Sequence, residues 1–215
     1  MKRVAFVCLL LINVAISAQK KSILEGAEVF VSVNRTTFFD DKTENRTGFG
    51  AGIKFLYNSD KRFSLLTGFE YNHTRQYKYE LFEDRWCSSS DWEISVHLFS
   101  IPVGVRYRVG SMRRIIVEGG VFADVPYKST REGERCCYYP DLDNLGNMAG
   151  GCSQVTESGI IFPGFGSYFG VGYRIPISKV DLIIKPDYKF VFNRINSQDD
   201  IYNRYLRFNF ILKFK

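Results

Sequence analysis

Two histidines stand out as residues able to do chemistry, because His73 and His97 are the only ones in the 215-residue chain. Ser95 and Glu93 lie just before His97, and a serine, a histidine and a carboxylate together could make a hydrolytic site. On an extended strand, however, residues i and i+2 sit about 6–7 Å apart, too far for a Ser95–His97 hydrogen bond. Any partner would have to come from a neighbouring strand. His97 is therefore expected to be an inward polar residue, with a lipid or peptide hydrolase near His97 as the alternative. No HExxH, CxxC or phosphate-binding loop is present, so no catalytic, cofactor-binding or metal-binding residue is assigned and no cofactor is expected.

The segments carrying these residues alternate with a period of two, the signature of strands with one apolar and one polar face. The last stretch is the clearest. Leu206, Phe208, Phe210, Leu212 and Phe214 alternate with Arg207, Asn209, Ile211 and Lys213. A first strand opens at Ala27, with Val29, Val31 and Val33 opposite Glu28, Phe30 and Ser32. The second spans Thr47 to Tyr57, with Phe49, Ala51, Ile53 and Phe55 opposite Gly48, Gly50, Gly52 and Lys54. The third starts at Phe63. The fourth runs from Trp92 to Val109; its apolar set changes parity near Leu98–Phe99, which predicts a β-bulge there. That reading turns Ile94, Val96 and Leu98 outward. The fifth spans Ile115 to Tyr127, the sixth Ile160 to Ile175, the seventh Val180 to Asn193, and Tyr205 to Lys215 is the eighth.

Eight strands of this kind, with greasy faces rich in Phe and Tyr, point to an all-β fold. The expected architecture is an eight-stranded antiparallel transmembrane β-barrel. Connections alternate long and short, with short turns at Asn58–Arg62, Gly110–Arg114 and Pro176–Lys179. Short periplasmic turns and long extracellular loops are the pattern of outer-membrane barrels. Two aromatic girdles are expected: Tyr57, Phe63, Tyr107, Tyr173 and Phe214 at the short-turn end, and Tyr71, Tyr77, Trp92, Tyr127 and Tyr205 at the other.

The lumen of an eight-strand barrel is just wide enough for its own side chains. The inward set includes Glu28, Glu70, Glu118, Asp124, Asp181 and Asp187. It also includes Lys54, Arg106, Arg108, Arg174, Lys185, Lys189, Arg207 and Lys213. A buried charge is costly unless paired, so these residues are expected to form an internal ion-pair network that plugs the barrel.

The first eighteen residues read as a secretory signal peptide: Lys2 and Arg3, an apolar run from Val4 to Ile16, then Ala15, Ser17 and Ala18 before Gln19. That run is short for a spanning helix. Domain organisation is thus 1–18 signal peptide and 19–215 outer-membrane barrel, located in the bacterial outer membrane. The formal net charge of +6 comes without a basic block or basic helix, so no nucleic-acid partner is expected. Cys8 would leave with the leader. Cys87, Cys136, Cys137 and Cys152 remain, all in expected outer loops, and an even count in an exported chain argues for disulfides. Bonding adjacent Cys136 and Cys137 would close a strained eight-membered ring. Cys87 is therefore expected to bond one of them, and Cys152 the other.

The stretch Leu98-Phe-Ser-Ile-Pro-Val-Gly-Val-Arg-Tyr-Arg108 resembles the "IPL-x-x-KY" strand of the outer-membrane β-barrel domain family of Bacteroidetes, which includes PorT-like proteins. The resemblance spans about residues 20 to 215. The chain departs from the family in ending on Lys215, which leaves Phe214 as the expected signal to the barrel-assembly machinery. The loop cysteines also lie outside the family pattern. The resemblance implies an outer-membrane eight-strand barrel in contact with lipid, and it does not imply one activity. The function expected is non-enzymatic: surface interaction, adhesion or assembly through disulfide-bonded loops, with an unidentified surface or periplasmic protein partner.

Overall fold

The computed structural model describes residues 26–37, 43–79, 82–83, 87–140, 148–158, 162–178, 180–193 and 204–214. The leader with Cys8, Trp86, Lys179, the loop from Arg194 to Asn203, and Lys215 lie outside the described residues.

The strands are β1 (Ala27–Thr36), β2 (Thr43–Asn45), β3 (Thr47–Tyr57), β4 (Phe63–Lys78), β5 (Phe82–Glu83) and β6 (Cys87–Val109), followed by β7 (Ile115–Pro140), β8 (Met148–Ser158), β9 (Gly164–Ile177), β10 (Val180–Val191) and β11 (Arg204–Phe214). β1, β3, β4, β6, β7, β9, β10 and β11 pair in that order, every pair antiparallel. β11 then pairs with both β10 and β1, from Glu28 opposite Lys213 to Thr36 opposite Tyr205. The sheet thus closes into an eight-strand barrel and leaves the barrel strands no free edge. β2 and β5 are short additions at the long-loop end, and β8 is an 11-residue strand added there.

The barrel is inside out relative to a soluble protein. Phe69 and Phe165 are more than half exposed, whereas Glu70, Lys54 and Arg207 are fully buried. Alternation of this kind satisfies lipid outside and paired charges within. The tight turns rest on left-handed residues: Asn58 (φ 60°) in the first, Gly110 (φ 78°) and Arg113 (φ 52°) in the second, Ser178 (φ 30°) in the third. Close packing of side chains in the lumen requires glycine at specific wall positions. A Cβ on Gly170 would lie 2.5 Å from the Asp187 Cβ and 2.9 Å from the Pro186 carbonyl oxygen.

Three sequence expectations change. First, β6 keeps one parity from Trp92 to Tyr107, pairing with β4 in unbroken register from Phe63–Tyr107 to Lys78–Trp92; the bulge expected near Leu98–Phe99 is present at His97/Leu98, but its extra residue is on the partner strand. The irregularity lies between β6 and β7. His97 faces Lys128 and Leu98 faces Pro126, so the extra residue is Tyr127 on β7. A second shift, between Ser90 and Glu93, places the extra residue on β6, beside Asp91 at φ 61°. Second, Trp92, Ile94, Val96 and Leu98 point into the barrel, each 4% exposed or less, and His97 lies on the outward face. Tyr205 is also fully buried, so Trp92 and Tyr205 do not belong to the outer girdle. Third, most of the expected loop from Lys128 to Ser158 is strand. β7 continues past the barrel to Pro140 and pairs with β8 from Thr130–Ser158 to Pro140–Met148.

Candidate functional site

Three places concentrate chemistry-bearing side chains: the lumen, the outward face at the long-loop rim, and the ribbon beyond it.

In the lumen, all fourteen charged residues singled out from the sequence face inward; thirteen are buried and Arg174 is partly exposed. Glu118 is a hub. It accepts from Lys54 (3.0 Å), Arg106 (2.7 Å) and Lys185 (2.5 Å). Arg106 also grips Glu28, with Nη2 2.8 Å from Oε2. A second hub is Arg207, which donates from Nε and Nη2 to the Asp187 carboxylate (2.8 and 3.0 Å) and from Nη1 to Glu70 (2.7 Å). Lys189 reaches Glu70 at 2.7 Å, and Ser100 joins Asn72 to Asp124. In this middle zone Glu28, Glu70, Glu118, Asp124 and Asp187 balance Lys54, Arg106, Lys185, Lys189 and Arg207, which is the condition for burying charge. Aromatic rings complete the cation shells: Lys189 lies 4.5 Å from the Phe122 ring centre and Lys54 5.1 Å from that of Phe30. Sequence reading did not single out Phe30, Phe122, Asn72 and Ser100 for these roles, although each lies on the inward parity of its strand.

At the rim, the outward face of β4 and β6 carries His73 directly across from His97. Their rings stack at 4.5 Å with a 14° tilt. The Tyr71 hydroxyl is 2.8 Å from His97 Nδ1, and Ser95 Oγ is 2.7 Å from His73 Nε2. The serine therefore meets the histidine of the neighbouring strand rather than the one on its own. Glu93 is held by Arg75, and His73 Nδ1 has no hydrogen-bond partner among the described residues. Just beyond the wall, the Tyr79 hydroxyl donates to Glu44 at 3.1 Å, and that bond holds its pKa above the ordinary tyrosine value.

Beyond the rim, β6, β7 and β8 form a three-stranded ribbon. Cys87 pairs across β6–β7 with Cys137, and Cys136 pairs across β7–β8 with Cys152. Both pairs are disulfides, spanning 50 and 16 residues of sequence. The register decides what the sequence left open between Cys136 and Cys137. Sγ atoms of Cys136 and Cys152 lie near the Glu134 carboxylate, but both sulfurs are bonded and cannot act as thiolate ligands.

The chain matches the family model for the outer membrane protein beta-barrel domain over residues 6–133, more than half its length. No curated protein sequence matches it. Among solved structures it is similar to Neisserial surface protein A, at 16% identity and a TM-score of 0.43, over 88% of this chain and 97% of that one. It is also similar to the attachment invasion locus protein of Yersinia pestis, at 12% identity and a TM-score of 0.39, over 87% and 95% of the two chains.

Proposed function

This chain belongs to the outer membrane protein beta-barrel domain family, and from that premise we propose that it is a non-enzymatic surface protein acting through its disulfide-tied ribbon in adhesion, assembly or another surface interaction. The observation that carries the reading is the ribbon itself, three strands continued beyond the barrel wall and cross-linked twice. A loop held rigid before it meets a partner loses less conformational entropy on binding. Within the family, the motif centred on Ile101–Pro102 favours the PorT-like group. The partners proposed are outer-membrane lipid around the wall, the barrel-assembly machinery at β11, and an unidentified surface or periplasmic protein. The full chain, displayed on a heterologous outer membrane, is expected to increase cell-to-cell aggregation or adherence to protein-coated surfaces. A variant with residues 130–158 replaced by a short turn should lose that gain while still folding. Equal adherence of the two strains would overturn the reading.

A second reading, a hydrolase of outer-leaflet lipid, is favoured by the 2.7 Å Ser95–His73 contact on the outward face. His73 would take the Ser95 proton, but no carboxylate among the described residues orients it from Nδ1. Labelling of Ser95 by a fluorophosphonate, abolished in Ser95→Ala and His73→Gln, would support this reading over the first.

A further inference from the structure

The charges of the lumen balance in its middle and fail to balance at its periplasmic mouth. Arg108 and Lys213 close this end, 3% and 9% exposed. Neither has a carboxylate within 4.0 Å among the described residues. Arg108 Nη1 donates to the Lys61 carbonyl (2.7 Å), and Lys213 Nζ to the Ser59 carbonyl (3.2 Å), both in the β3–β4 turn. Arg113 donates to the Asp60 carbonyl of the same turn (2.7 Å). The acids that could serve them are engaged elsewhere: Glu28 by Arg106, and Asp181 by Arg174 at 3.0 Å. Arg108, Arg106 and Arg174 act on Lys213 as repelling charges, against the attraction of Glu28 on the neighbouring strand. Exposed Lys61, Arg62, Arg113 and Arg114 on the adjoining turns add further positive field.

A guanidinium carries five donors and an ammonium three. Each of these cations uses one donor on a turn carbonyl, which leaves its remaining donors at the mouth for solvent or a ligand. Holding turn carbonyls does not by itself explain why two full charges are buried beside a third. We propose that the periplasmic mouth, formed by Arg108, Lys213 and Arg174, is a binding site for a phosphate group. A tetrahedral oxyanion suits a guanidinium fork and an ammonium converging from different strands. The mouth lies at the level of the inner-leaflet headgroups, so the phosphate could come from an anionic phospholipid or from a soluble periplasmic phosphate.

The test uses the full barrel purified in neutral detergent, with its thermal midpoint followed by circular dichroism at constant ionic strength. Phosphate should raise the midpoint above its value in chloride, because a ligand of the folded state stabilises it. Arg108→Gln should weaken the apparent phosphate affinity by about tenfold or more, the loss of a charge-assisted contact. If Arg108→Gln does not fold, Lys213→Gln serves the same purpose, and Arg135→Gln in the distant ribbon is the control. Nanodiscs separate the two sources. If phosphatidylglycerol raises the midpoint over phosphatidylcholine and removes the response to added phosphate, the headgroup is the ligand. If the response persists in phosphatidylglycerol, the soluble anion is. Equal midpoints in phosphate and chloride together with no lipid dependence, or an unchanged response in both glutamine variants, would overturn the site.

Discussion

Glu118 and Glu93 show how depth decides what an ion pair contributes. Glu118 is fully buried and holds three cations. Removing its charge leaves those cations without a shared counter-ion, which destabilises a protein by about 3–5 kcal/mol. Glu118→Gln should therefore lower the urea midpoint of the detergent-folded barrel sharply. Glu93, which pairs with Arg75 on the outer face, is about a third exposed (35% by side chain), and such pairs contribute about 0–1 kcal/mol. Glu93→Gln should leave the midpoint nearly unmoved. A comparable loss in both variants would mean that the lumen network is not what holds the barrel closed. Gly170 makes a steric counterpart. Its missing side chain leaves room for Asp187 and Pro186 of β10, so Gly170→Leu should cost about 1–3 kcal/mol or more by overpacking, measured the same way.

At the scale of elements, the ribbon and the barrel wall should unfold separately. Within the barrel, every strand has a partner on both sides. The ribbon stands beyond the wall and is held by its ladders and two disulfides. Closing loops of 50 and 16 residues removes chain entropy equivalent to roughly 3–4 kcal/mol each in the loop-closure account. Reduction should accelerate amide hydrogen exchange across residues 130–158 and leave residues 115–125 of β7 protected. Uniform loss of protection would show that the ribbon and the barrel form one cooperative unit. The Tyr127 bulge makes a subtler case. Pairing resumes as His97–Lys128 immediately beyond it, so deleting Tyr127 keeps the faces and the register on both sides. Peptide mapping of that variant should recover both native disulfides.

For the molecule as a whole, a filled lumen and a lipid-matched wall have separate consequences. Arg207, Lys54, Lys185 and Lys189 occupy the bore with their carboxylates, and Trp92, Ile94 and Leu98 fill it towards the long-loop end. Planar-bilayer recordings should accordingly show no unitary conductance. Steady channel steps from the wild-type barrel would show that the packed lumen opens. The wall predicts membrane fractionation and the heat-modifiable gel mobility expected of a closed barrel.

What the sequence determined by itself was the class, the number of barrel strands and the two faces of most of them. Lipid and lumen impose opposite demands on neighbouring residues, and that demand is written as a period of two. Phe208, Phe210 and Phe214 against Arg207, Asn209 and Lys213 need no structure to be assigned. Only the tertiary structure decided the phase of the segment from Trp92 to Leu98. At the rim the outward face leaves the hydrocarbon, so Glu93, Ser95 and His97 sit outside, each partly exposed and held by a polar neighbour. A closely filled lumen accommodates Trp92, Ile94 and Val96 as readily as it does paired charge. Polarity therefore stops reporting direction there, and the apparent parity change was the wall's passage out of lipid rather than a bulge in β6. The real extra residue, Tyr127, is visible only through its pairing partner. Connections between distant residues were equally out of reach: Lys54 meets Glu118 across 64 residues, and Cys87 faces Cys137 rather than Cys136 because of strand register. Neither a pairing nor a group of neighbouring cations such as Arg108 and Lys213 exists until the barrel closes and sets which side chains share the same small volume.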